Sequence, residues 1–141
     1  MPRVARWPAP GFTLVELCVV LAVAGVLASI AWPSFQSQLQ RGRRADAVTA
    51  LLRVQLAQEN YRSHHGMYAS QLGALVGATA RRSGEGWYDI ELLGSGGERY
   101  EARATARAGS VVASDAGCTV LSLQVRDGLA EFAPSPRCWN R

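Results

Sequence analysis

The sequence predicts an α+β fold in which a long, kinked N-terminal helix packs on an antiparallel β-sheet. The first observation behind this prediction is an apolar run that extends from Phe12 to Trp32. The second is a stretch after Pro33 in which apolar residues recur at helical spacing. The third is a series of alternating segments between Trp87 and Ala133, separated by glycine-containing turns. With 141 residues, the chain has room for one such domain with a modest core.

The apolar run is long enough to cross a membrane. From Phe12 to Trp32, Glu16 is the only charged residue. As a helix, these 21 residues rise about 31 Å, which is close to the hydrocarbon thickness of a bilayer. An ionised carboxylate inside such a helix costs roughly 2.5–3.5 kcal/mol. We therefore expect Glu16 to face a partner rather than lipid.

The residues around the start of the run resemble a known processing signal. A short basic leader ends at Gly11, and the sequence Phe-Thr-Leu-Val-Glu-Leu follows it. This pattern resembles the class III signal of type IV prepilins and related pseudopilins. In that family a membrane aspartyl peptidase cuts after the glycine and methylates the new amino terminus. The resemblance implies cleavage between Gly11 and Phe12, an N-methyl group on Phe12, and pairing of Glu16 with the terminal amine of a neighbouring subunit.

Two other interpretations of the same segment remain open. A secretory signal peptide also has a basic start, here Arg3 and Arg6, and cleavage after Ala31 would release a soluble protein that begins at Trp32. The other interpretation is an unprocessed membrane anchor. The acidic residue within the run disfavours a signal peptide. The positive-inside rule does not decide the orientation, because basic residues also follow the run, at Arg41, Arg43 and Arg44.

The helix is predicted to continue well beyond the apolar run. Pro33, at a position where pilins commonly carry a proline, removes a backbone donor and predicts a kink. Gly66 is a natural stop, so we expect the helix to end near His64. The stripe predicted to pack on the sheet consists of Ala45, Val48, Leu52 and Leu56, widened by Leu51.

The remainder predicts a loop followed by four strands. The loop covers 69–85, with a short helix through Ser70–Val76 and an exposed, mobile tip over Arg81–Gly86. Gly94–Gly97 and the pair Asp127-Gly128 are predicted turns. The predicted strands are Trp87–Leu93, Arg99–Arg107, Cys118–Arg126 and Leu129–Ala133.

Three cysteines have different expected roles. Cys18 lies in the apolar run, where a thiol behaves as a small apolar residue. Cys118 and Cys138 belong to the part that the resemblance places outside the cytoplasm, where two cysteines favour a disulfide. Its loop of about 20 residues would stabilise the fold by about 3 kcal/mol. A metal site is the alternative, although two cysteines without a nearby histidine are a poor ligand set.

The resemblance implies a pilin fold with a C-terminal disulfide loop and a defined domain order. Residues 1–11 are the leader that is removed, residues 12–32 the transmembrane and assembly helix, and residues 33–141 the periplasmic head with the second half of the helix. The hairpin between the cysteines and the terminal Cys-Trp are most similar to minor pilins of the PilE type. The implied location is the inner membrane before assembly, with the head in the periplasm, and the pilus at the cell surface afterwards.

Catalysis is not predicted. The acidic residues are scattered over strands and turns, and Gly94–Gly97 joins two strands rather than opening a helix around a phosphate. Adjacent histidines on a helix, here His64 and His65, point about 100° apart, so a solvated helix end is favoured over a metal site. No enzyme activity, metal or cofactor is therefore expected.

The predicted function is that of a structural subunit, a minor pilin, of a type IV pilus that supports pilus biogenesis, twitching motility or adhesion. The implied partners are other pilin subunits, the prepilin peptidase and methylase, the inner-membrane assembly platform and, before assembly, membrane lipid. A type II secretion pseudopilin is one alternative. The other is a DNA-binding pilin for natural transformation, although removal of Arg3 and Arg6 lowers the net charge from +4 to +2 and weakens the case for an anionic partner. Its candidate phosphate contacts are Arg81, Arg82, Arg103, Arg107 and Arg137.

Overall fold

The structure, a computed structural model, describes residues 11–75 and 81–141. The first ten residues of the predicted leader, and Val76 at the end of the predicted short helix, lie outside the described ranges. The α+β class is confirmed. The elements are α1 (Leu14–His65), a 3₁₀ helix (Leu72–Ala74), β1 (Tyr88–Gly96), β2 (Arg99–Ala106), β3 (Val120–Arg126), β4 (Leu129–Ala133) and a second 3₁₀ helix (Pro136–Trp139).

The chain divides into two compact units, with the boundary between Ser37 and Gln38. The described part of the first unit contains the beginning of α1. Thr13 precedes its first turn, and the Thr13 Oγ1 accepts a hydrogen bond from the Glu16 backbone N–H at 3.2 Å. This contact caps the helix, because a Thr side chain satisfies a backbone donor that has no partner within the first turn. Pro33 lies inside α1, and the kink expected there remains a prediction.

The second unit, Gln38–Arg141, contains the sheet. Its strands lie in the order β1-β2-β3-β4 and all neighbours are antiparallel. The turn at Asp127-Gly128 is confirmed, and both residues have positive φ, at 50° and 79°. The predicted turn over Gly94–Gly97 is wrong in part, because β1 continues to Gly96 through an irregularity in its pairing with β2. A glycine-rich segment therefore extends the strand instead of ending it.

The core lies between one face of the sheet and one side of α1. Tyr88, Tyr100 and Leu123 are among the buried side chains of the sheet, and they belong to one apolar cluster with Ala47 and Leu51 of α1. At the centre of β2 the inward residues are alanines. Because alanine is small, larger neighbouring side chains fill the space beside it. The helix thus covers the apolar face that a single sheet cannot bury by itself.

The side of α1 that packs on the sheet differs from the predicted stripe. Leu51 is fully buried as expected, but Leu52 is 41% exposed and Leu56 is 73% exposed. The buried positions are shifted by about one residue, or roughly 100° around the helix. The stripe was misplaced because two of the buried positions are polar: the buried residues of α1 are Arg44, Ala47, Leu51, Val54 and Gln58.

Gln58 explains how the segment after α1 is held. Its side-chain amide donates to the Ala69 carbonyl at 3.0 Å, and its Oε1 accepts the Ala69 N–H at 2.8 Å. These reciprocal bonds satisfy both ends of a fully buried amide. Instead of the predicted short helix, the described residues of this connection contain one 3₁₀ turn, Leu72–Ala74.

The segment 81–86, predicted as an exposed and mobile tip, is exposed at most of its positions but is anchored by hydrogen bonds. Ser83 is buried and its N–H donates to the Tyr88 carbonyl at 2.9 Å. The Glu85 N–H donates to Asp46 Oδ1 of α1 at 3.0 Å. Composition alone could not show the bond to Asp46, because its two residues are 39 positions apart in the sequence.

The C-terminal loop is closed as predicted. Cys118 and Cys138 form a disulfide, with a Cα–Cα distance of 5.3 Å. Trp139 is buried, and its Nε1 donates to the Ala133 carbonyl at 2.9 Å. We call residues 134–141 the C-terminal strap.

Candidate functional site

The first half of α1 carries the most unusual surface of the protein. Its apolar side chains are exposed, from Phe12, at 87%, to Trp32, at 66%. Among the described residues, α1 is the one helix that is long and apolar enough to cross a membrane, and its most apolar stretch is 0% buried within the chain. Such a surface is stable only when lipid or other protein chains cover it, because apolar area in water costs about 25 cal/mol per Å².

The predicted processing bond lies just ahead of this helix. Gly11 and Phe12 precede the first helical residue, Leu14, and both are exposed. Backbone outside a helix, with no side chain packed over it, is accessible to a peptidase. The geometry is compatible with the predicted cleavage, which remains a prediction.

Glu16 lies in the first turn of α1 and is exposed. Within the described ranges, its carboxylate takes part in no ion pair. It is also the third residue after the Thr13 cap, the position at which a Glu or Gln supports a helix start. Sequence analysis missed this local role, although the Thr-x-x-Glu spacing displays it. Glu16 therefore lies at the position that supports the start of its own helix, and its pairing with another subunit remains a prediction.

A buried ion pair holds the C-terminal loop against α1. Arg44 donates from Nη2 to Asp115 Oδ1 at 2.7 Å and from Nε to Asp115 Oδ2, so the pair is bidentate. Its Nη1 donates to the Arg137 carbonyl at 3.3 Å. The hydrogen bonds with Asp115 raise the pKa of Arg44 above its ordinary value. Sequence analysis missed this pair because its members are 71 residues apart.

The five arginines predicted to contact phosphate do not form one free basic surface. Arg82 and Arg107 share Asp89, at 3.7 and 3.8 Å. Arg103 is paired with Glu101 at 2.8 Å. Arg137 donates to the Ala116 carbonyl at 2.9 Å. Arg81 is exposed, as are Arg82 and Arg137, and the Arg81 carbonyl accepts the Ile90 N–H at 2.9 Å.

Another pair of arginines meets on the outer face of the sheet. Arg99 of β2 lies directly opposite Arg126 of β3, and both are exposed. Like charges in this arrangement destabilise a sheet. Within the described part of the chain, neither takes part in an ion pair. The pair was not predicted because strand register is needed to see it.

Two family models match this chain. The model described as "Type IV minor pilin ComP, DNA uptake sequence receptor" matches residues 33–122. The prokaryotic N-terminal methylation motif matches residues 10–32. Together they cover the apolar run, the rest of α1 and most of the sheet.

Several curated proteins are similar to the chain. The type IV major fimbrial protein FimA of Dichelobacter nodosus is 28% identical over 138 residues, which are 93% of this chain and 81% of that protein. The type IV major pilin protein PilE1 of Neisseria gonorrhoeae is 33% identical over 70 residues, or 50% of this chain. The type IV major pilin protein PilA of Myxococcus xanthus (strain DK1622) is 39% identical over 59 residues, or 42% of this chain. The matches span only 33% of the PilE1 protein and 27% of the PilA protein.

Proposed function

We infer the function of this chain from its family: it belongs to the type IV pilins, in the family described as the type IV minor pilin ComP, DNA uptake sequence receptor. We propose that it is a minor subunit that assembles with other pilins into a type IV pilus, in support of pilus biogenesis, twitching motility or adhesion. The observation that carries this proposal is the uncovered apolar half of α1. Lipid covers that surface before assembly, and the corresponding helices of neighbouring subunits cover it afterwards.

The proposed route to the filament begins at the leader. A prepilin peptidase cleaves between Gly11 and Phe12 and methylates Phe12, as the match to the methylation motif supports. The cleaved chain stays in the inner membrane as a single-pass protein with its C-terminal part in the periplasm. An assembly platform in that membrane then transfers it to the filament.

Glu16 is proposed to register one subunit against the next. A carboxylate and a terminal amine, each costly in a low-dielectric setting, strongly favour meeting there. The lack of a cationic partner for Glu16 within the described part of its own chain supports a partner in another subunit. We propose no enzymatic role, since the function follows from assembly.

The test of this proposal is the intact mass of the protein isolated from its native membranes with its peptidase present. The expected product starts at methylated Phe12 and is two hydrogens lighter because of the disulfide. A product that starts at Trp32 would instead indicate a secreted soluble protein, and an intact Met1 would indicate an unprocessed anchor. Either result would contradict the proposal.

A second candidate function is DNA binding, which the description of the matching family names. In this chain we propose Arg99 and Arg126 as the phosphate contacts, since these two exposed arginines lie opposite each other across β2 and β3. A DNA phosphate would relieve the repulsion between them. The previously predicted Arg82, Arg103 and Arg107 are weaker candidates, because each lies beside a carboxylate.

The salt dependence of duplex DNA binding tests this candidate, with the full chain in neutral detergent micelles. Each phosphate contact contributes about −0.9 to the slope of log K, the binding constant, against the log of the salt concentration. The slope should therefore be less steep by about 1.8 in the Arg99→Gln/Arg126→Gln variant. Arg53→Gln removes an exposed positive charge from α1 and should leave the contribution of this pair intact. No binding at low salt, or an unchanged slope in the double variant, would exclude this role.

A further inference from the structure

We propose that the second unit carries a surface for anionic lipid headgroups at the end where α1 enters it. The surface consists of Arg41 and Arg43 of α1 and Arg137 of the C-terminal strap, which we call the arginine collar. The inference rests on the proposed membrane anchoring of the chain. It adds a second contact with the membrane, made by charge rather than by the apolar run.

Two contacts of the strap place Arg137 beside the segment of α1 that carries Arg41 and Arg43. The Asn140 Nδ2 donates to the Arg41 carbonyl at 3.0 Å. The Arg44 Nη1 donates to the Arg137 carbonyl at 3.3 Å. The Arg43 guanidinium lies 5.9 Å from the centre of the Trp87 ring. Together, these contacts bring arginines from distant parts of the sequence to the beginning of the second unit.

The positive charge at this end is not neutralised within the described residues. None of the three collar arginines takes part in an ion pair there. The acids on the neighbouring segments are engaged elsewhere. Asp115 is buried against Arg44, Asp46 accepts the Glu85 N–H, and Asp89 lies between Arg82 and Arg107. The collar is therefore complementary to an anionic partner.

The arrangement around the helix favours a membrane as that partner. Residues 41 and 43 are separated by about 200° around the helix axis, so their side chains leave opposite sides of α1. A DNA duplex contacts one side of a helix, whereas a lipid surface that a helix enters surrounds it. Trp32, the last residue of the apolar run, precedes Arg41 by nine residues in the sequence. Basic residues this close to the end of a membrane span are near enough for acidic headgroups to attract them.

The positions of the collar arginines also oppose the usual charge bias. Basic residues within about 15–20 residues of a membrane span normally favour the cytoplasmic side. The proposed topology instead places Arg41, Arg43 and Arg44 on the periplasmic side. Arg44 has a structural reason, the buried pair with Asp115. Arg41 is exposed and has no such reason within the described residues. Attraction to acidic headgroups would explain the position of Arg41. Each arginine near the surface raises the affinity for an anionic membrane about fivefold.

Hydrogen exchange of the full processed chain in lipid nanodiscs tests the inference. One set of discs contains only phosphatidylcholine, and the other contains about one third phosphatidylglycerol. We expect exchange in residues 107–118 and 134–141 to be at least fivefold slower on the anionic discs at low salt. Raising the salt to about 0.5 M should remove the difference, because screening then acts within a few Å.

Variants separate the collar from general charge effects. Arg41→Gln should reduce the lipid-dependent protection several-fold, and Arg41→Gln/Arg43→Gln should abolish it. Arg53→Gln is the matched control, an exposed arginine of the same helix about 18 Å further along, and should behave as the unaltered chain. If the double variant misfolds, Arg41→Gln alone decides, since Arg41 is exposed and takes part in no ion pair among the described residues.

Three results would overturn the inference. The first is equal exchange on the two kinds of disc, and the second is a loss of protection in Arg53→Gln equal to that in Arg41→Gln. The third is protection of the same segments by duplex DNA on neutral discs, without a response to anionic lipid. Failure of the chain to co-elute with any disc would instead contradict the membrane anchoring in the proposed function, so the two failures are distinguishable.

Discussion

Arg44 shows how a single residue can determine the position of a distant loop. Its guanidinium joins α1 to Asp115, before the disulfide, and to the backbone of Arg137, beside it. A buried pair contributes little compared with an apolar replacement of the same volume, but removal of one partner leaves an uncompensated charge. The pair therefore specifies where the C-terminal loop docks more than it adds net stability.

We predict that Asp115→Asn lowers the free energy of unfolding by about 3–5 kcal/mol, because Arg44 loses its buried counter-charge. The double variant Arg44→Met/Asp115→Leu should recover most of that loss. Denaturant unfolding of the full chain in detergent, followed by near-UV circular dichroism, measures both. Glu101→Gln, which breaks the more exposed pair with Arg103, is the control and should cost about 1 kcal/mol or less. Equal losses in Asp115→Asn and Glu101→Gln would contradict the prediction.

Two buried tyrosines couple stability to alkaline pH. Burial raises the pKa of Tyr88 to about 12, and it raises the pKa of Tyr100 as well. Among the described residues, neither hydroxyl has a hydrogen-bond partner. The folded state thus disfavours the ionised form relative to the unfolded chain, in which a tyrosine ionises near pH 10. The stability that depends on the neutral form is present below pH 10 and is lost as the pH rises toward 12.

We predict that the free energy of unfolding falls between about pH 10 and 12 and that Tyr88→Phe reduces this fall, since phenylalanine cannot ionise. At pH 7 the same variant should change stability by less than about 1 kcal/mol, because it removes a hydroxyl without a hydrogen-bond partner in the described structure. Short unfolding measurements at several pH values provide the test. An unchanged alkaline slope in Tyr88→Phe would show that this residue is not a source of the pH dependence.

At the level of the element, α1 has two different apolar sides beyond Gln38. One side packs on the sheet and includes polar residues whose side chains are hydrogen-bonded, as Gln58 illustrates. The other side exposes Leu52 and Leu56. The helix therefore contributes an internal core and an outward apolar strip, and only the first stabilises the isolated chain.

We predict that Leu51→Ala lowers the free energy of unfolding by about 2–5 kcal/mol, because it leaves a cavity in the core. Leu56→Ala makes the same chemical change on the exposed side and should alter stability by no more than about 0.5 kcal/mol. Thermal and denaturant unfolding of the full chain distinguish them. A larger loss in Leu56→Ala would mean that the originally predicted stripe, not the observed one, packs on the sheet.

For the whole molecule, the exposed apolar half of α1 makes function depend on other chains. Glu16 has two roles to separate, a local one at the helix start and the proposed one between subunits. Gln can replace Glu in the local role, since both support a capped first turn, but Gln carries no charge.

We predict that Glu16→Ala and Glu16→Gln both insert and are processed normally but enter pili several-fold less than the unaltered chain. Immunoblots of sheared pili and of membranes, with the strand residue Glu131→Gln as control, measure incorporation. If Glu16→Gln assembles normally while Glu16→Ala does not, the helix cap rather than the charge explains the requirement. Normal incorporation of both variants would remove the registering role altogether.

Local patterns were sufficient for much of this molecule. The apolar run, the end of α1 near Gly66, the Asp127-Gly128 hairpin and the four strands depend on short-range spacing, which the sequence displays directly. The pairing of Cys118 with Cys138 was also predictable, because these are the two cysteines of the sequence that lie outside the apolar run.

Long-range contacts were decided by the tertiary structure alone. The side of α1 that is buried depends on whether Arg44 and Gln58 find partners, and those partners are Asp115 and the backbone of Ala69. The Arg99–Arg126 pair depends on strand register, and the arginine collar depends on where the strap docks. A sequence determines which residues are apolar or charged, but the burial of a polar group is favourable only with a correctly placed partner. That placement exists only in the folded chain.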